Sequence, residues 1–333
     1  MHMGDVLISP EVGGTMLAGA IGVSAYSIRK VKEMDERKLP LMGVMAAFVF
    51  AAQMINFTIP GTGSSGHIGG GLLLAILLGP YAGFLSMAAI LLIQALFFAD
   101  GGFLAYGCNL INMGFFSCFI AYPFIYRILT RTAITKRRIT LGSIAGSVVG
   151  LQLGAFAVVV QTLLSGKTEL PFSEFLVAMQ GIHLLIGIVE GVVTAAVVSF
   201  VWQVRPDIIS EGTQPGVNKR SKGIIVAFLI AALALGGIVS LYASANPDGL
   251  EWSIGKVTDT ELKGNTEIHS VLEKAQEKTA ILPDYGFKNP NENAGESAGT
   301  SFSGIAGAGI TLGIIVLVGA FIKIFKKKMR KTV

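Results

Sequence analysis

The sequence predicts an all-α polytopic membrane protein, a seven-helix bundle followed by a C-terminal two-helix hairpin with an external segment. Three observations carry that prediction. Of the 333 residues, 52% are hydrophobic and 14% charged, with a mean hydropathy of +0.65, whereas a soluble domain carries about 25% charge. Apolar runs approaching the roughly 20 residues of a membrane span recur along the chain. The 42 glycines follow no collagen-like period and suit closely packed membrane helices. Two cysteines, Cys108 and Cys118, exclude a disulfide-rich secreted scaffold.

The runs predict helices over 13–29, 39–59, 69–79, 81–98, 102–129, 141–165, 173–204, 223–243 and 303–325. The third is short and ends at Gly79-Pro80, which predicts a hairpin with the fourth. Polar residues 207–222 form a linker, so 1–206 is one membrane domain and 223–333 a two-helix hairpin. Between the hairpin helices, residues 244–302 carry ten acids, a helical stretch near Ser270–Thr279 and a run rich in Pro, Asn, Gly and Ser. The first apolar run has no basic stretch before it and no A-x-A after it, so no cleaved signal peptide is expected.

Lys and Arg concentrate in alternate loops: Arg29 to Lys38, Arg127 to Arg138, Arg205 to Lys222, and the tail from Lys323 to Lys331. Together these hold 20 of the 26 basic residues. Basic loops stay cytoplasmic, so nine spans place the N-terminus and 244–302 outside and the C-terminus inside. The net charge of +5 therefore reports orientation in a lipid membrane, and nucleic acid is not an expected partner.

Two motifs mislead. Gly61-Thr62-Gly63-Ser64-Ser65-Gly66 fits G-x-G-x-x-G, but no strand–helix unit is predicted around it and the next acid, Asp100, comes too late. Ser165-Gly166-Lys167-Thr168 ends like a phosphate-binding loop, yet Gln161 stands where its first glycine belongs. The chain is expected to bind no nucleotide. The usual hydrolase signatures are absent too.

The histidines are more informative. Met1 is expected to survive processing because His2 is large, and then the Met1 amine, the His2 amide and the His2 imidazole can chelate one ion through fused rings. An all-nitrogen planar set favours Ni(II) or Cu(II). His67 follows the glycine-rich turn on the same side of the membrane and supplies a fourth nitrogen. The Met-His start, the Gly61–His67 turn and the run Gly181-Ile182-His183 to Glu190-Gly191 resemble the NikM/CbiM family. These are the nickel/cobalt substrate-binding (S) components of energy-coupling factor transporters. The hairpin, with Asn246-Pro247-Asp248-Gly249-Leu250-Glu251-Trp252, resembles the small N-type partner, here fused. The resemblance implies Ni(II), or alternatively Co(II), held by Met1, His2 and His67 as transported substrate. It also implies a separate membrane coupling (T) component, cytoplasmic ABC-type ATPases and a plasma-membrane location. Met3 stands where many members carry Ile.

His183 and Glu190 fall on one face of the seventh helix, and are expected to fix helix packing as a polar pair or through separate hydrogen bonds, with direct metal binding the alternative. Asn109 with Asn112 and Gln53 with Asn56 are expected to bond between helices. Small-residue stripes at Gly142, Gly146, Gly150 and Gly154, and at Gly14, Ala18 and Gly22, are expected to pack inside the bundle. His269 is expected to be solvated. The function expected is metal uptake, not enzymatic turnover; the different-class alternatives are a metal-dependent membrane enzyme and a structural assembly subunit.

Overall fold

A computed structural model gives the fold and describes residues 1–32, 39–209, 219–260, 262–264, 266–288 and 296–329. The expected basic residues Arg37, Lys38, Arg330 and Lys331, linker residues 210–218 and the polar run 289–295 lie outside them.

Among the described residues nine helices follow the apolar runs: α1 (Pro10–Lys32), α2 (Leu39–Gln53), α3 (Gly71–Leu78), α4 (Pro80–Phe98), α5 (Tyr106–Thr130), α6 (Lys136–Leu164), α7 (Phe172–Val204), α8 (Lys219–Gly237) and, after two helices of the intervening segment, α11 (Glu296–Met329). Among the described residues six helices are long and apolar enough to cross a membrane: α4, α5, α6, α7, and segments Gly223–Tyr242 and Ala298–Leu317. The other three helices that the sequence predicts are present but are not among these six. With 15 and 8 residues, α2 and α3 fall short of the length a span requires, and α1 is not among the six.

The predicted α3–α4 hairpin forms because Gly79 takes φ 86°, a left-handed-side value open to glycine, and Pro80 starts the next helix. The second helix does not run to residue 59. It stops at Gln53, and Phe57–Ile59 pairs antiparallel with Ser64–Gly66 as β1 and β2, with Thr58 opposite Ser65. Pro60 and the positive-φ glycines Gly61 and Gly63 at the turn account for the change. Nor does the fifth helix start at 102. Residues 102–105 lie before it and bind the N-terminal tail: the Gly102 amide donates to Met3 O and the Ala105 amide to Asp5 Oδ1.

The stripe on α6 packs inside the bundle, Gly146 against Leu72 and Gly150 against Ser117 and Ala121. On α7, Gly187 and Gly191 meet the Val148 and Ile144 backbone, while Gln152 and Gln180 exchange side chain-to-carbonyl bonds of 2.9 and 3.1 Å. The stripe on α1 behaves otherwise. Gly14, Ala18 and Gly22 are exposed, because α1 packs through its other face at Gly13, Ala20 and Ser27. In the C-terminal unit α8 and α11 touch backbone to backbone at Gly236 and Gly304, and Phe228 of α8 meets Phe48 of α2 edge-on.

Between α8 and α11 the described residues hold two further α-helices, α9 (Gly249–Val257) and α10 (Glu267–Thr279). The sequence reading contains α10 but not α9, whose signal was present: Asp248 and Glu251 form a capping box. His269 is buried, not solvated. Its Nε2 meets Ile8 O at 2.9 Å and its Nδ1 meets Thr266 Oγ1 at 2.6 Å, so α10 clasps the N-terminal tail.

Candidate metal centre

The first three residues enter the bundle and are fixed from below. Asn109 of α5 accepts from the Met3 amide at 2.8 Å and donates to Met3 O at 3.0 Å, making a two-bond clamp on a fully buried residue. Asn112 reaches the same residue, its Nδ2 lying 3.5 Å from Met3 Sδ, and its amide also exchanges bonds with Gln161 of α6. Gln161 is thus a buried residue of helix α6.

Above the clamp the Met1 amine lies 3.3 Å from His67 Nε2, and the His2 and His67 rings stack at 5.1 Å with 19° between planes. His67 Nδ1 sits 3.2 Å from Ile68 O. A carbonyl only accepts, so Nδ1 carries the proton and Nε2 turns its lone pair toward Met1. The glycines of this turn admit close approach: a Cβ on Gly66 would meet Ile186, and one on Gly70 would meet Val49.

His183 and Glu190 do not pair with each other. His183 Nδ1 donates to Met179 O at 2.8 Å, leaving a buried Nε2 without a partner beside a cavity of about 10 Å³ lined by Met1, His67, His183, Asp248 and Gly249. Glu190 accepts from the Gly69 and Gly70 amides at 2.7 and 3.1 Å.

Four residues with no site role in the sequence reading also converge. Asp248 Oδ2 takes the Met1 ammonium at 2.7 Å, while its Oδ1 caps α9. Asp100 Oδ1 lies 3.3 Å from His2 Nδ1, and its Oδ2 accepts from Tyr285 at 2.5 Å. Gln94 Oε1 is 3.2 Å from His2 Nε2. Asp248 had one available signal, the capping box. Nothing periodic marks Gln94, Asp100 or Tyr285.

Burial first, then the Met1 ammonium, push the His2 and His67 imidazoles down to about 3. Both rings are therefore neutral near neutral pH. Burial works against a charged Asp248, but the ammonium and its hydrogen bonds outweigh it and hold the carboxyl below the usual range. Burial raises Asp100, with the Tyr285 hydroxyl opposing. Among the described residues no three His, Cys, Asp or Glu side chains make a preformed metal cluster. A donor set containing an amine and a main-chain amide does not require one.

Residues 2–208 match the family described as the cobalt uptake substrate-specific transmembrane region, and residues 222–324 match the PDGLE domain. The chain belongs to the cobalt uptake transmembrane family. It is 34% identical to a putative fused nickel transport protein, NikMN, of Archaeoglobus fulgidus, over 94% of this chain and 96% of that one. A probable fused nickel transport protein, LarMN, of Lactiplantibacillus plantarum is 33% identical over 76% of this chain and 78% of its own. The crystal structure of a transition metal transporter superposes with a TM-score of 0.55 at 32% identity, covering 62% of this chain and 95% of that one. The chain is thus a membrane component of nickel/cobalt transport, not an enzyme. The letters of the second domain's name are Pro247-Asp248-Gly249-Leu250-Glu251, the stretch that reaches the Met1 amine.

Proposed function

We propose that this chain is the substrate-capturing component of an ATP-driven nickel uptake system. It takes Ni(II) outside the cell through the Met1 amine, the His2 amide and imidazole, and His67 Nε2. The observation that carries this reading is the 3.3 Å approach of the Met1 amine to His67 Nε2, with the His2 ring stacked beside it, in a chain of this family. Binding through both rings requires them to turn from stacked to edge-on. A planar nitrogen set with a deprotonated amide favours nickel over cobalt. Energy must come from separate coupling and ATPase subunits, because Gln161 occupies the place of the phosphate-loop glycine. Lys and Arg placement supports an N-terminus and outer segment outside the plasma membrane and a basic tail inside.

Equilibrium nickel binding to full-length, C-terminally tagged protein tests the reading, with intact mass establishing that Met1 comes first. Residues added before Met1 turn its amine into an amide, and His67→Ala removes an imidazole. Each should weaken binding about a hundredfold or more, a few kcal/mol at about 1.4 per factor of ten. Glu273→Ala, at an exposed acid on α10, should bind as wild type. Wild-type affinity in the extended protein rules out the site.

A further inference from the structure

We propose that Gln53 and Gln94 are positioning residues that set the proton on His2, so that the ring presents Nδ1 to the ion. This rests on the metal-site reading above and goes beyond its ligand list.

The argument begins at a backbone carbonyl. Gln53 Nε2 donates to Gly69 O at 2.7 Å. Gly69 O can only accept, so the Gln53 amide has one allowed orientation, with Oε1 pointing away toward α4. Gln94 of α4 meets that oxygen with Nε2 at 2.9 Å, so its own orientation is forced in turn, and its Oε1 faces His2 Nε2 at 3.2 Å. An oxygen there calls for a donor. His2 Nε2 therefore keeps its hydrogen, and Nδ1 is the nitrogen left with a lone pair. Nδ1 is also the only ring nitrogen that can close a six-membered chelate with the His2 amide.

The start of the relay is itself anchored. Glu190 on α7 accepts from the Gly69 and Gly70 amides, holding the peptide whose carbonyl gives the relay its direction. Gln94 is fully buried and Gln53 nearly so, so water does not compete for the intermediate bonds. The second acceptor on His2, Asp100 Oδ1 at 3.3 Å, faces Nδ1. A ring held between two acceptors is satisfied when both nitrogens bear cationic partners, and a neutral His2 meets that condition with a proton on Nε2 and an ion on Nδ1. The carboxylate then stands beside the ion as its counter-charge. The relay links Glu190, whose buried carboxylate has no other assigned use, to the His2 ring across α7, α2 and α4.

The experiment is a double-mutant cycle in the full-length, C-terminally tagged protein, using Gln94→Met, Gln53→Met and the double variant, read by equilibrium Ni(II) binding. Removing the partner of a ligating histidine typically weakens metal binding about 10–100-fold, and Gln94→Met should fall in that range. Gln53→Met should lose less, because it frees the Gln94 amide to turn without removing it. The double variant should be no weaker than Gln94→Met alone, since Gln53 acts only through Gln94. A purely structural role would make the two losses multiply. Nitrogen NMR of His2 in the metal-free wild type should show a protonated Nε2, a second readout that does not depend on how well the variants fold. Additive losses in the cycle, wild-type affinity in Gln94→Met, or a protonated Nδ1 in the metal-free protein would each overturn the relay. If His67→Ala, measured in parallel, loses binding while Gln94→Met does not, the relay fails and the metal site stands. If wild type itself binds no nickel, both fail.

Discussion

The α6–α7 pair and segment 244–288, the outer segment of the proposed topology, both press on the candidate metal centre, and they are held by different physics. Along α6 and α7, contact comes from repetition: glycines every fourth residue bring backbones together, and apolar side chains fill the remainder. The outer segment has no repeat. It is fixed by single bonds to main-chain groups of the N-terminal domain. The Ser65 amide donates to Pro247 O, the Ser244 amide to Asn56 O, the Leu282 amide to Phe97 O, Trp252 Nε1 to Thr62 O, and Gln276 to Ala95 O and Gly101 O. A polar segment can therefore be seated on a helical bundle through partly buried carbonyls and amides.

The sharpest way to break that contrast is at a glycine in each region. Gly191→Val puts methyl groups into the Ile144 backbone, and overpacking against backbone costs about 3 kcal/mol. Thermal unfolding in detergent should fall by many degrees. Gly255→Ala in α9 meets open space and should be neutral or raise the midpoint, since alanine is the better helix former by about 1 kcal/mol. An equal loss at both sites would mean that the outer segment packs by the same rule as the span.

The same contrast explains what was legible. Helices α4 to α8 follow from apolar length, the α3–α4 hairpin from Gly79-Pro80, and the Met1, His2 and His67 set from the Met-His start and the glycine turn. Long-range side chain-to-backbone bonds leave no period. His269 looks like any loop histidine, although Ile8, 261 positions away, is its partner. Gln94 and Asp100 read as the end of a span and its loop until the fold brings His2 between them. The α1 stripe shows the converse: small residues at helical spacing mark a face that can pack, and only the neighbours decide whether it does.

His269→Ala should cost about 2 kcal/mol, because it strips a buried carbonyl of its partner. Its nickel affinity should fall severalfold as the tail loosens. Wild-type affinity together with an unchanged unfolding midpoint would separate α10 from the tail.

Asp248 divides into two roles that substitutions can part. Asp248→Asn keeps an oxygen for the α9 cap and loses the charge on the Met1 ammonium; Asp248→Ala loses both, about 1 kcal/mol more for the cap. The folded carboxyl titrates below its ordinary value, so its stabilisation is present above the unfolded pKa of about 3.9 and is lost as pH falls through the lower folded value. The Asn variant's stability deficit should therefore be full at pH 7 and shrink below about pH 4. A deficit independent of pH would mean that the charge contributes nothing.

Trp252→Phe should have the smallest effect. The indole donates to Thr62 O at 2.9 Å and rests on the small cluster of Ile59, Leu151, Ile182 and Ile186, with the Lys256 ammonium 5.4 Å from its ring. Phenylalanine keeps the apolar contact and loses one hydrogen bond from a partly buried position where water can replace it, so the loss should be about 0.5–1 kcal/mol. Nickel affinity should not change, because Asp248 is placed by its own cap and by the Ser65–Pro247 bond and not by the indole. A drop in affinity without a matching drop in stability would show that the β1–β2 turn, and not the capped start of α9, sets the position of the carboxylate at the Met1 amine.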